Sequence, residues 1–463
     1  MTALASGPRQ TGPAGSQRPD SGRQPGTLVI MAWALLASLL GSWLAWRVAL
    51  PLEIDRNEAW NAWFTAQAFD PSKLYPQLNE LIVNNYPPLS FVFIKAVSYP
   101  LDVITTGRIV SLLAIIFIAI CVVGITKTLG APARSATIAG LWTVALFFGL
   151  FAGYAGMNDP NLLSLAIMLA GLWLFMHTST HGKTPYAGCA VMAVALFFKH
   201  SIIVFPIAAL LWHFSYRPAS AMRAALCLVG LGCLGVLLCQ LVYGDAFLQQ
   251  LRFPRLMQLS SGFRFFRKLP PLLPAIILWW QWSPAPALLA ARRFTGLALL
   301  LALVLNFLQQ CGAGVDYNAT FEFVIAAGLA LGCALQGGER KSKVTQVWLV
   351  LLLILFSNRL EPYLFITSPQ YRNQVREQVS VSNQEIARIR ALPGPTVCDV
   401  LSACVRAGKS FEFDGYAMSQ RVATATWRAE QLEQALAVRQ LRFVTVAPDT
   451  QWTHRTFVSE WRR

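Results

Sequence analysis

The segment that decides the fold reads Glu53-Ile54-Asp55-Arg56-Asn57-Glu58, and it follows a predominantly apolar run over residues 27–50. A run of this length can cross the hydrocarbon core of a bilayer, which takes about 20 residues. The carboxylates therefore stand where the chain leaves the membrane. Charged groups at that depth are costly to desolvate, so their presence indicates a function.

The composition predicts a polytopic membrane protein. The chain has 463 residues, of which 55% are hydrophobic and only 13% charged, and its mean hydropathy is +0.48. The net charge of +16 comes largely from Lys and Arg in short connections between apolar runs, which is the positive-inside pattern of membrane proteins. We find no basic face on a soluble domain, so a nucleic acid is not an expected partner.

The pattern of apolar runs predicts an all-α membrane protein with about eleven transmembrane helices and additional interfacial helices. The predicted spans are 27–50, 107–126, 135–154, 160–177, 185–198, 201–214, 220–243, 271–290, 294–310, 320–336 and 344–358. Residues 1–26 are rich in Gly, Pro, Ser, Gln and Arg and predict a disordered cytoplasmic tail. The charge bias then puts the N-terminus inside, and residues 359–463 form a small extracytoplasmic α/β domain.

The first outer loop, residues 51–106, precedes the second span. Its residues Trp60, Trp63, Phe64 and Ala68 recur at helical spacing, which predicts an interfacial helix. The stretch 89–100 is apolar but short, and we interpret it as re-entrant or interfacial.

The groups that could carry chemistry lie in predicted outer loops. They are Asp55, Glu58, Asp159, Lys199, His200, Asp316, Asn318, Glu322 and the basic set Arg252, Arg255, Arg264, Arg267 and Lys268. An ionised Asp can take a proton from an acceptor hydroxyl, and cations can neutralise a departing phosphate. A pair of carboxylates could also hold a divalent cation for the same purpose.

Each of these groups also has a purely structural interpretation. Asp55-x-x-Glu58 has the spacing of a helix capping box, and Asp159 before Pro160 is a good helix N-cap. Lys199-His200 could extend to the membrane interface, and the basic loop could contact anionic headgroups. The coincidence of all these groups at one membrane face is what favours a site.

Several short motifs resemble those of the GT-C membrane glycosyltransferases. An outer-loop Asp, an interfacial helix, Tyr86-Pro87-Pro88-Leu89, Gly107-Arg108-x-x-Ser111-Leu112 and Asn158-Asp159 follow one another along the chain. The pattern is most similar to the branch of the protein O-mannosyltransferases and aminoarabinose transferases, which includes bacterial enzymes that modify polysaccharides. It covers about residues 27–360, and residues 359–463 have no specific match.

The resemblance implies roles for individual residues. Asp55 matches the catalytic base of the family and Asp159 its second-loop acidic residue, and this pair is also the candidate metal site; apart from a divalent ion no cofactor is implied. Cations and a phenol would bind the donor phosphate: Lys199, His200, Arg255, Arg264 and Tyr86. Polar outer residues would bind the substrates: Glu58, Asp316, Asn318 and Glu322. Two departures stand out, because some relatives carry Lys or His where this chain has Tyr86, and Glu58 replaces the second member of an adjacent Asp-Glu pair.

The resemblance implies an inverting glycosyltransferase of the bacterial cytoplasmic (inner) membrane. It would move a sugar from a polyprenyl-phosphate donor to a hydroxyl of a glycan, lipid or protein acceptor at the outer face. The alternative is a transporter or flippase of lipid-linked glycans. Transporters generally carry ionisable groups near the bilayer midplane and often show internal repeats, and this sequence shows neither feature.

Cys398 and Cys404 leave two structural alternatives open. They lie in the predicted outer domain, where an oxidising compartment permits a disulfide. A turn between them would bring their Cα atoms close enough, whereas a regular helix directly after Cys398 would point the pair apart and leave two small apolar core residues.

Overall fold

The computed structural model describes residues 27–336, 339–357 and 360–446, and most of them are helical. The helices of the first half are α1 (Thr27–Val48), α2 (Arg56–Ala66), α3 (Pro71–Leu74), α4 (Leu89–Val97), α5 (Val103–Thr128), α6 (Ala133–Gly149), α7 (Pro160–Thr180), α8 (Tyr186–Leu196), α9 (Val204–Phe214) and α10 (Pro218–Tyr243). Those of the second half are α11 (Asp245–Leu251), α12 (Leu259–Gly262), α13 (Leu273–Gln281), α14 (Leu289–Gln310), α15 (Phe321–Ala334), α16 (Glu339–Ser357), α17 (Glu361–Thr367), α18 (Pro369–Ala391), α19 (Leu401–Arg406), α20 (Gly415–Ala423) and α21 (Ala429–Arg439). The predicted N-terminal tail, residues 1–26, lies outside the described residues.

The prediction of a polytopic helical membrane protein is confirmed. Within the described ranges, six helical segments are long and apolar enough to cross a membrane, and they contain α1, α5, α7, α10, α14 and α15. Shorter apolar helices accompany them, among them α6, α8 and α9. Helix α10 is almost entirely unburied. Its exposed side chains include the apolar Leu226, Val229 and Leu241, as expected of a helix that meets lipid.

Three predicted helix boundaries are wrong for local reasons. Helix α5 begins at Val103 rather than residue 107, because the Asp102 carboxylate accepts the N–H groups of the first turn. Helix α6 ends at Gly149 and not at residue 154. The predicted span 271–290 is interrupted, because Pro284 and Pro286 follow the end of α13 and cannot continue a helix.

Contacts between loops occur at both ends of the bundle. At one end the Asn61 amide donates to the Asn158 carbonyl at 2.9 Å, which joins two predicted outer loops. At the other end the Arg217 guanidinium donates to the Gly182 carbonyl, which joins two predicted inner connections. Between the two ends α15 runs through the core, with every residue buried.

The C-terminal segment contains a small α/β unit. The residue types at 396–398 and 442–446 predict short strands. The structure has β1 (Thr396–Cys398) paired in parallel with β2 (Arg442–Val444). Of the two alternatives for the cysteines the structure has the disulfide, with the Cα atoms of Cys398 and Cys404 separated by 5.9 Å. A turn at Asp399 and Val400 precedes α19, so no regular helix starts directly after Cys398.

The C-terminal segment packs directly on the first outer loop. Leu401 of α19 and Phe411 share an apolar cluster with Phe64 of α2, and the Phe411 and Phe64 rings are 6.4 Å apart. The Ser402 N–H donates to the Glu53 carboxylate at 2.7 Å. The predicted outer domain therefore lies against the first outer loop, next to the acidic segment 53–58.

Candidate active site

A cavity of about 660 Å³ lies at the end of the bundle where the predicted outer loops meet. Its walls come from the loop before α2, the α8–α9 connection, the loop after α11, the α14–α15 connection and the start of α20. The cavity brings together most of the predicted site residues, namely Asp55, Tyr86, Lys199, His200, Arg255, Asp316 and Asn318. Asp159, Glu58, Glu322 and Arg264 are not among its lining residues.

Asp55 is the N-cap of α2 and also lines the cavity. Its backbone is extended, and one carboxylate oxygen accepts the Asn57 N–H at 2.8 Å. Its other oxygen makes no hydrogen bond with the described residues. Burial raises the pKa of Asp55, and the neighbouring carboxylates Asp316, Glu58 and Asp159 raise it further, against the opposing Asn57 hydrogen bond. A carboxylate with a raised pKa is a stronger base than an ordinary Asp.

Glu58 turns away from the cavity into the protein. Its carboxylate forms a fully buried ion pair with Arg108 at 2.7 Å and accepts the N–H groups of Ile54 at 3.0 Å and Asn158 at 3.1 Å. Arg108 also donates to the carbonyls of Leu50 and Leu52. Glu58 therefore holds the backbone next to Asp55 instead of reaching a substrate.

The Gly107-Arg108-x-x-Ser111 motif joins the first two outer loops. A Cβ at Gly107 would lie 1.8 Å from the Asn158 amide oxygen, so only glycine at this position leaves room for the Asn158 side chain. The Ser111 hydroxyl donates to the Tyr154 carbonyl and accepts the Gly156 N–H, both at 3.3 Å. The motif thus fixes the loop that leads to Asp159.

Asp159 and Lys199 form a buried ion pair beside the cavity. Asp159 caps α7 by accepting the Asn161 N–H at 2.8 Å, and its carboxylate is 3.5 Å from the Lys199 ammonium. Burial alone would lower the pKa of Lys199, but Asp159 and Tyr86 outweigh it, so the pKa of Lys199 is raised and the side chain is charged. The ammonium lies 3.3 Å from the Tyr86 hydroxyl.

Glu322 holds the connection that carries Lys199. This buried carboxylate accepts the first N–H of α9, from Val204, at 2.9 Å and the Asn306 amide at 3.1 Å. The Gln309 amide donates to the Ser201 carbonyl at 2.7 Å. Glu322 therefore caps α9 from inside the bundle and does not line the cavity.

Arg255 and His200 complete the basic wall. Arg255 makes no hydrogen bond or ion pair with the described residues, so its guanidinium is available to an anion. Burial, with Lys199 and Arg255 nearby, lowers the pKa of His200 to about 4, so its imidazole is neutral at pH 7. Arg264 lies outside the lining and donates to the carbonyls of Ser261 and Val315.

Asp316 and Asn318 form part of the opposite wall. Asp316 accepts the Tyr154 hydroxyl at 2.9 Å. Burial and then the charge of Asp316 raise the pKa of Tyr154 well above its ordinary value, so the phenol keeps the proton that it donates. The cavity therefore pairs a carboxylate side, Asp55 and Asp316, with a cationic side, Lys199 and Arg255.

Comparison with solved structures identifies the fold. ArnT from Cupriavidus metallidurans bound to undecaprenyl phosphate matches over 90% of each chain, with a TM-score of 0.52 and 13% identity. Apo ArnT matches 94% of this chain and 88% of its own, with a TM-score of 0.50 and 14% identity. The chain has the GT-C fold.

The resemblance drawn from the sequence motifs is thus confirmed at the level of the fold. The archaeal oligosaccharyltransferase AglB from Archaeoglobus fulgidus, in complex with an inhibitory peptide and a dolichol-phosphate, matches with a TM-score of 0.46 and 11% identity over 90% of this chain and 69% of its own. No family model matches the sequence, and no curated protein is similar to it.

The predicted metal pair does not form a metal site in this GT-C fold. Among the described residues no three His, Cys, Asp or Glu side chains come together as ligands. One Asp159 oxygen accepts the Asn161 N–H and lies 3.5 Å from the Lys199 ammonium, whereas the other makes no hydrogen bond with the described residues. Asp55 lines the cavity and Asp159 does not. A divalent ion bound by this pair would therefore depend on water or substrate oxygens for its remaining ligands.

Four residues that line the cavity were not predicted as site residues from the sequence motifs. Tyr154 is inside the predicted third span, because the apolar run continues past Gly149, where α6 ends. Trp60 is predicted as part of an apolar stripe, yet it lines the cavity. Asp414 and Tyr416 belong to the C-terminal segment, where no local pattern could have indicated them.

Proposed function

We propose that the chain is an inverting glycosyltransferase that uses a polyprenyl-phosphate sugar. It acts at the outer face of a bacterial cytoplasmic membrane and transfers the sugar to an acceptor hydroxyl. One observation carries the proposal: a single cavity at the end of the bundle holds Asp55, a carboxylate with a raised pKa, together with the cations Lys199 and Arg255.

The donor class follows from the chemistry of the basic wall. Arg255 presents donors suited to phosphate oxygens, and Lys199 is a charged ammonium beside the phenol of Tyr86. The solved ArnT structure of the same fold binds undecaprenyl phosphate. A lipid tail would remain in the membrane beside the apolar helices, while its phosphate reaches the cavity.

The reaction needs one base and one stabilised leaving group. Asp55 takes the proton of the acceptor hydroxyl as that oxygen attacks the anomeric carbon. The bond between the anomeric carbon and the phosphate oxygen breaks, and the polyprenyl phosphate leaves with the electron pair. Lys199 and Arg255 neutralise its charge. Attack opposite the leaving group inverts the configuration, and Asp159 keeps Lys199 charged and in position.

Substitution Asp55→Asn tests the base directly. It keeps the shape of the side chain and the helix cap but removes the basic carboxylate. We expect release of polyprenyl phosphate from lipid-linked sugars, with native membranes as acceptor, to fall by at least roughly a hundredfold. Binding of undecaprenyl phosphate, measured on purified protein, should stay within about twofold of wild type.

The matched control is Asp70→Asn, which changes the same residue type at the N-cap of α3 on an exposed surface. It should leave transfer unchanged. Near-normal transfer by Asp55→Asn would remove Asp55 from the mechanism. A purified protein that moves lipid-linked sugar across proteoliposomes without releasing polyprenyl phosphate would instead establish the flippase alternative.

A further inference from the structure

We propose that α20 of the C-terminal segment positions Arg255 for the donor phosphate, and that Gln420 is the positioning residue through which it acts. The inference rests on the proposed function and deepens it. It assigns to the segment after residue 359 a part in donor binding, although that segment carries no recognisable motif.

Gln420 holds the backbone next to Arg255. Its amide oxygen accepts the Leu256 N–H at 3.1 Å, and the Gln420 side chain is buried. The two residues are separated by 164 positions in the chain, so this contact exists only in the folded protein. A buried N–H that loses its acceptor is costly, so the contact is a strong constraint on the loop.

A second contact fixes the same loop from the same helix. Phe253 packs in one apolar cluster with Ala417 and Met418 of α20. The Arg421 guanidinium lies over the Phe253 ring at 5.5 Å. Both residues that flank the Pro254-Arg255 dipeptide are therefore attached to α20.

The α14–α15 connection holds the loop from the other side. The Ala313 N–H donates to the Leu256 carbonyl at 2.8 Å, and the Gln258 N–H donates to the Cys311 carbonyl at 2.7 Å. The Tyr416 hydroxyl of α20 donates to the Ala313 carbonyl. Helix α20 thus bonds both to the loop of Arg255 and to the connection that supports it.

This arrangement matters because contacts on the neighbouring residues are what position Arg255. Its backbone lies between tethered residues, and its guanidinium lines the cavity without a hydrogen bond or ion pair to any residue that the structure describes. A long side chain loses conformational freedom when it binds a ligand, and a fixed backbone reduces that loss. A guanidinium held in this way can donate two parallel hydrogen bonds to the oxygens of a phosphate.

Binding of undecaprenyl phosphate to purified protein tests the proposal, with undecaprenol as the probe that lacks the phosphate. We expect Arg255→Ala to weaken binding of undecaprenyl phosphate about tenfold or more, as for the loss of a charge-assisted hydrogen bond. Gln420→Ala should weaken it roughly three- to tenfold. Neither variant should change binding of undecaprenol.

The double variant separates positioning from an independent effect. If Gln420 acts through Arg255, the double variant should bind no more weakly than Arg255→Ala alone. Ser419→Ala, on the exposed side of the same helix, is the matched control and should bind as wild type does. If Gln420→Ala does not fold, Gln420→Asn should give a smaller weakening with the same non-additivity.

Two results would overturn the inference while leaving the proposed function intact. One is wild-type affinity of a folded Gln420→Ala variant, and the other is a double variant whose loss equals the product of the single losses. If wild-type protein binds undecaprenol as tightly as undecaprenyl phosphate, the phosphate has no site here, and the proposed function fails together with this inference.

Discussion

Two acidic residues three positions apart at the start of α2 have different environments. Asp55 caps the helix and faces the cavity, whereas Glu58 is fully buried against Arg108. One carboxylate can both cap a helix and take part in an ion pair: Asp159 caps α7 and pairs with Lys199. The structural and functional interpretations of these carboxylates are therefore not exclusive.

The buried Glu58–Arg108 pair predicts a large stability effect. Glu58→Gln leaves the Arg108 guanidinium buried without its counter-charge, and we expect a loss of roughly 3–5 kcal/mol in unfolding free energy. Thermal unfolding in detergent measures it as a lower midpoint. Lys73→Met, which removes the exposed pair with Asp70, is the control and should cost at most about 1 kcal/mol.

An unfolding midpoint of Glu58→Gln as high as that of Lys73→Met would show that the buried pair adds no stability. A variant that is destabilised but, at a temperature where it is folded, transfers sugar at the wild-type rate would contradict the role of Glu58 in holding the backbone beside Asp55. The two measurements address different parts of the argument, so both are needed.

At the scale of elements, α19 and the first outer loop form one unit through Glu53. This carboxylate accepts the Ser402 N–H, and only 3% of its surface is exposed. Burial raises the pKa of Glu53 from an ordinary 4.5 to about 7, with Glu58 and Asp55 adding to the effect and the Ser402 hydrogen bond opposing it.

The raised pKa of Glu53 predicts that stability falls as the pH rises from about 4.5 to about 7. In that window the folded protein keeps a proton that the unfolded chain has lost, so the unfolded state is favoured as the pH increases. The full shift corresponds to roughly 3 kcal/mol. Above pH 7 both states are ionised and the contribution is constant.

Unfolding midpoints measured between pH 5 and pH 8 for wild type and Glu53→Gln test this sign. The wild-type midpoint should decrease over the range by more than that of Glu53→Gln, which has no titrating group at this position. Glu430→Gln, on the exposed surface of α21, should follow the wild-type curve. Parallel curves for wild type and Glu53→Gln would contradict the prediction.

At the scale of the whole molecule, we predict how the protein is oriented in the membrane. The predicted outer loops converge on the cavity, and predicted inner connections contact one another through Arg217 with Gly182 and Arg293 with Tyr216. The excess of Lys and Arg in the inner connections predicts that the cavity faces away from the cytoplasm.

Cysteine labelling in intact cells tests this orientation. Starting from a chain without its seven free cysteines, single cysteines at Phe69 and Val438 should react with an impermeant maleimide, because both positions are exposed near the cavity end. A cysteine at Lys183, exposed in a predicted inner turn, should react only after permeabilisation. Labelling at Lys183 in intact cells would contradict the predicted topology.

The sequence alone determined the features that depend on local physics. Apolar runs of sufficient length predicted the membrane helices, because an unsatisfied backbone in lipid leaves few alternatives to helices. Asp55 and Asp159 were recognisable as caps because capping joins residues two or three positions apart. The short strands at 396–398 and 442–444 followed from their β-branched and aromatic residues.

Only the tertiary structure decided which groups share the cavity. Asp55 and Glu58 were both candidate site residues in the sequence, but Arg108, 50 positions from Glu58, holds the Glu58 carboxylate inside the protein. The contribution of α20 depends on a contact between Gln420 and Leu256, which no local pattern records. Such contacts form between segments far apart in the chain, so the folded chain, rather than any one segment, determines the site.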